Sequence, residues 1–134
     1  MPTFRDTAPS LADFDQMARA AFAEIPGIFR ARCEGLVIRV ADFASEDVLH
    51  DLGIADPFGL TGLYQGVALT QKSHADIEAA PDTVWLYRRP ILDEWAARGD
   101  VALDRLVAHV LVHEIAHHFG MSDDDIAAID DWRL

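Results

Sequence analysis

The 134-residue chain is long enough to bury one real core and too short for two domains, so any site must be built within a single unit spanning residues 1–134. Its 51% hydrophobic and 25% charged composition fits a folded globular protein and argues against a disordered or fibrous one. With 11 basic and 23 acidic side chains, the net charge of −12 repels phosphate backbones and anionic lipid, so neither nucleic acid nor a membrane is an expected partner.

The first ten residues, MPTFRDTAPS, lack the basic start and unbroken apolar stretch of a signal peptide. No run approaches the length of a membrane helix, and the expected location is the cytoplasm. Cys33 has no second cysteine to pair with and is read as a small buried hydrophobe.

Ser10 opens the first helix: Asp13 completes a Ser-x-x-Asp box, and Leu11, Phe14, Ala18, Ala21, Phe22 and Ile25 recur at helical spacing before Pro26-Gly27. After an ambiguous stretch from Phe29 to Glu34, the β-branched run Leu36 to Val40 reads as a strand. Ser45 is placed to cap a short helix through Leu52. The glycines at 53, 59, 62 and 66 match no phosphate-loop pattern and read as turns. Leu63 to Thr70 reads as a second strand or hairpin, and Thr83 to Tyr87 as a third strand. Pro90 suits the first turn of a helix that runs to about Arg98 and stops at Gly99. Asp100 is the expected cap of a last long helix from Val101 to about Phe119, with Gly120 in the stop position. Ser122 begins a further short helix with Asp123, Asp124 and Asp125 in its first turn.

The long helix contains His113-Glu114-Ile115-Ala116-His117, an HExxH sequence. At about 100° per residue the two histidines lie roughly 40° apart on adjacent turns, so both imidazoles reach one ion. Glu114 sits roughly 60° beyond His117, placed to act as base on a metal-activated water without ligating the metal. Zinc suits such ligands, and a catalytic site holds it by three protein groups with a fourth position open. Gluzincin-type sites take a later Glu as third ligand, but no Glu follows Glu114; metzincins take a His where this chain has Asp123. The pattern present is HExxHxxGxxD. Gly120 allows a sharp reversal that brings Asp123 back toward the histidines, while helix capping is the competing role for Asp123, and Asp124 and Asp125 compete for either job. Leu103, Leu106, Val107 and Val110 share the histidine side, so that face is expected to be buried, where an unligated His and Glu would be costly. His109 could pair with His113 in place of His117 but would leave Glu114 without a role, so it reads as structural or as a support for the ligands; His118 reads as a surface residue, a support for the ligands or a donor to the transition state.

These residues resemble the small bacterial zincin-like metallopeptidases bearing HExxHxxGxxD. The resemblance also takes in the first helix to Ile25-Pro26, the strand from Leu36 to Val40, Leu60 to Gly66, and Val84 to Ile91. It implies an α+β minimal zincin-like fold, with a small mixed sheet packed against the active-site helix. It further implies His113, His117 and Asp123 as zinc ligands and Glu114 as base. The expected activity is zinc-dependent hydrolysis of a peptide or protein substrate, with Val84 to Tyr87 as an edge strand along which the substrate aligns. Tyr64, Tyr87 and His118 are unranked candidates for stabilising the oxyanion. The rivals are a non-catalytic metal-binding or regulatory protein, closed by a fourth ligand such as Asp124 or Asp125, and a plain interaction domain without metal.

Overall fold

In the computed structural model, which describes residues 8–66, 81–122 and 124, Ser10 caps helix α1 (Leu11–Ala23). Its hydroxyl accepts from the Asp13 amide at 3.1 Å while the Asp13 carboxylate accepts from the Ser10 amide at 2.8 Å, the reciprocal box the sequence spells. The ambiguous stretch resolves into a short helix α2 (Gly27–Arg30) and a 3₁₀ turn (Ala31–Cys33). Cys33 is buried and its thiol is pushed up by desolvation, which keeps it unreactive. Strand β1 (Val37–Ala41) follows, then helix α3 (Glu46–Leu52), capped by the Ser45 hydroxyl. Strand β2 (Gly62–Gln65) covers part of the expected second strand; positions 67–70 lie outside the described residues. Strand β3 (Thr83–Tyr87) leads directly into helix α4 (Arg88–Arg98), with Pro90 in its first turn and Gly99 as its left-handed stop at φ 70°.

Helix α5 (Leu103–His118) starts later than the sequence suggests, and its N-cap is Ala102 rather than Asp100. The connection is used otherwise. The Val101 carbonyl accepts from the Trp95 indole at 2.9 Å, and Asp100 leans 3.7 Å from Arg98. The expected helix after Ser122 falls largely outside the described residues.

The sheet order is β1-β3-β2, with β1 parallel and β2 antiparallel to β3. This corrects the edge-strand expectation for Val84 to Tyr87: β3 is hydrogen-bonded on both sides and is the central strand. A run without polar alternation suits a strand covered on both faces. Val84 and Leu86 turn to the main core, where α1 and α5 supply Phe14, Ala18, Leu106, Val107, Leu111 and Ile115. Tyr87, together with the partly buried Trp85, serves a second cluster with Ala44 and Leu49. The result is the mixed α+β architecture of a minimal zincin-like fold, with α5 lying across β2 and β3.

Candidate metal centre

Strand β2 runs along α5 in step with it. Two strand residues rise roughly 6.6 Å and four helical residues roughly 6 Å, so alternate β2 positions meet successive turns. Gly62 faces Val110 and Glu114, and Tyr64 faces His118. At Gly62 a Cβ would sit 2.7 Å from Val110 Cγ1 and 3.3 Å from Glu114 Cγ, so the absence of a side chain lets β2 press on the helix beside Glu114.

The buried stripe of α5 is Leu106, Val107, Val110, Leu111, Ile115 and His118. His113, Glu114 and His117 flank it and are half-buried. The two imidazoles lie edge to face, with ring centroids 5.2 Å apart. His117 Nδ1 is 3.1 Å from the Met121 carbonyl oxygen, which only accepts, so Nδ1 is the donor there and Nε2 is the nitrogen left to face an ion.

That carbonyl is delivered by the helix terminus. The Gly120 amide donates to the His117 carbonyl at 2.9 Å and the Met121 amide to the Ala116 carbonyl at 3.1 Å, a Schellman closure made possible by Gly120 at φ 87°. The glycine of the motif thus closes the helix and places the carbonyl that orients His117.

Asp123 lies outside the described residues, as does Asp125. Asp124 is exposed, and among the described residues no three His, Cys, Asp or Glu side chains gather into a metal-binding group.

Tyr87 is 3% exposed, and burial, reinforced by the negative charge of Glu114, pushes its hydroxyl up to about 12. The other two oxyanion candidates are engaged with each other and with Asp82. His118 is 3% exposed and directs its ring at Tyr64, Asp82 and the Arg32 carbonyl rather than at solvent. Tyr64 has its hydroxyl pushed well above the ordinary tyrosine range by burial and by a hydrogen bond to Asp82. Asp82 itself was not marked by the sequence. It follows Pro81 ahead of a strand and reads as turn chemistry, yet it is 8% exposed.

A half-buried HExxH helix under a small mixed sheet defines a zincin-type architecture. The model of the zincin-like metallopeptidase family matches residues 33–133, and the chain belongs to that family. No curated protein matches the chain. Among the described residues no helix is long and apolar enough to cross a membrane.

Proposed function

We propose that the protein is a zinc-dependent peptidase in which His113, His117 and Asp123 hold the metal and Glu114 is the general base. The observation that carries this reading is the pairing of His113 with an His117 whose proton is fixed on Nδ1 by the Met121 carbonyl. Such a hydrogen bond to the far nitrogen is the usual way a protein orients a zinc-binding imidazole. The donor set of two imidazoles and a carboxylate suits zinc and leaves a coordination position for chemistry.

When bound, zinc supplies Lewis acidity, making a water more acidic and a carbonyl more electrophilic. The chain's own residues do the rest. Glu114, held between α5 and Gly62 of β2, takes the proton of the attacking water and returns it to the leaving amine. Tyr87, protonated at neutral pH and within the electrostatic reach of Glu114, is the remaining candidate donor to the developing oxyanion. With β3 central, an extended substrate aligns instead along β2, the edge of the described sheet that lies on α5.

The test compares wild type with Glu114→Gln on a panel of peptides. The variant should keep its zinc and lose about 10²- to 10⁴-fold in kcat. Equal turnover by both proteins would remove Glu114 from the chemistry.

A further inference from the structure

The residue after His117 points into the protein. His118 continues the buried row of Leu111 and Ile115, and both of its ring nitrogens meet polar atoms. Nε2 lies 3.2 Å from the Arg32 carbonyl oxygen, which only accepts, so Nε2 is the donor there. Nδ1 lies 3.0 Å from the Tyr64 hydroxyl and 3.3 Å from Asp82 Oδ2. Tyr64 also lies within hydrogen-bonding reach of Asp82, and its single hydroxyl proton is shared between that carboxylate and Nδ1.

Burying a carboxylate and an imidazole costs more than burying apolar side chains of similar size, even when they are well paired. Packing alone would be served by hydrophobes, as it is at neighbouring Val84, Leu86 and Ile115. What directional bonds add is a single geometry. These contacts join the last turn of α5 to three separate places: β2 through Tyr64, the residue ahead of β3 through Asp82, and the 3₁₀ turn ahead of β1 through Arg32. The turn so held carries His117 and leads through Gly120 to Met121.

We propose that Asp82, His118 and Tyr64 are positioning residues for the metal, a largely buried polar clamp that fixes the last turn of α5 so that His117 is held in place to face the ion. The clamp rests on the zinc reading above and adds to it residues that touch neither metal nor substrate. Its loss loosens the helix terminus, so the penalty appears in metal affinity and coordination geometry before it appears in overall folding.

The experiment uses the full chain as wild type, Asp82→Asn, His118→Gln and Tyr64→Phe, with Ile91→Ala as a control that opens the core away from the clamp. Zinc dissociation constants come from chelator competition, coordination geometry from the visible spectrum of the cobalt-substituted protein, and terminus mobility from amide exchange at Phe119 to Met121 without metal. Asp82→Asn and His118→Gln should weaken zinc binding about tenfold or more, change the cobalt spectrum and speed exchange at those amides. Tyr64→Phe, which removes one hydroxyl, should weaken binding roughly two- to fivefold. Ile91→Ala should lower the melting temperature and leave zinc affinity and the cobalt spectrum unchanged. Wild-type affinity and spectrum in the clamp variants, or equal losses in Ile91→Ala, would overturn the clamp alone. Should Asp82→Asn and His118→Gln fail to fold, unchanged binding by Tyr64→Phe overturns it. A wild type that binds no zinc overturns the zinc reading and the clamp together.

Discussion

Gly62 and Glu114 meet where β2 crosses α5, and that contact makes a single methyl group informative. A Cβ at Gly62 falls 2.7 Å from Val110 Cγ1 and 3.3 Å from Glu114 Cγ, so Gly62→Ala must move either the strand or the carboxylate. We expect about 1–3 kcal/mol of destabilisation by chemical denaturation. Peptidase activity should fall further than that loss explains, with zinc content unchanged, because neither histidine is touched. A variant of wild-type activity would show that Glu114 is not held by this contact. That His113 and His117 come together on α5 was legible from spacing alone, since i and i+4 share a helix face. Asp82 was not legible: no local pattern says that an acid after a proline will be buried against a histidine 36 positions further on, at His118.

At the scale of elements, the helix signals were reliable because capping is local chemistry. Ser10, Ser45, Gly99 and Gly120 all end their helices as their side chains or φ angles require. Asp100 failed as a cap because Val101 and Trp95 form a tertiary contact that delays the helix to Leu103. The strand from Thr83 to Tyr87 was recognisable, but its place in the sheet was not, since strand order depends on partners distant in sequence. Gly120 is the element-level test of the motif's glycine. Gly120→Ala forces a side chain into the left-handed region at a cost of about 1–2 kcal/mol and disturbs the closure that offers the Met121 carbonyl to His117. Thermal melting should show the destabilisation, and chelator competition should show weaker zinc binding. Destabilisation with wild-type zinc affinity would separate the turn from the metal. For β2, a non-cleaved peptide bound to Glu114→Gln should slow amide exchange at Gly62 to Gln65 and leave β3 unaffected; protection of β3 alone would contradict the alignment.

Across the whole molecule, the only two tyrosines, Tyr64 and Tyr87, report on the same helix from opposite ends of its HExxH stretch. Both hydroxyls are raised above 10.0, Tyr87 to about 12, by burial first and then by Asp82 or Glu114. A raised folded-state value means that the folded chain holds the proton more tightly than the unfolded chain. The associated stability is therefore complete below pH 10.0 and is lost as pH rises through about 12. Phenolate absorbance should accordingly appear above pH 10.0, together with unfolding, and Tyr87→Phe should flatten the alkaline loss of stability. Full phenolate formation near pH 10.0 in a protein that remains folded would contradict the burial of Tyr87 and the engagement of Tyr64 with Asp82.

Whether this helix holds a zinc ion is read from metal content per chain, a quantity that does not depend on guessing a substrate. Elemental analysis after zinc loading should find about one zinc in wild type and in Glu114→Gln, little in His117→Ala and a weakened occupancy in Asp123→Ala. A wild-type protein that retains no zinc under these conditions would show that the HExxH helix is not a zinc site.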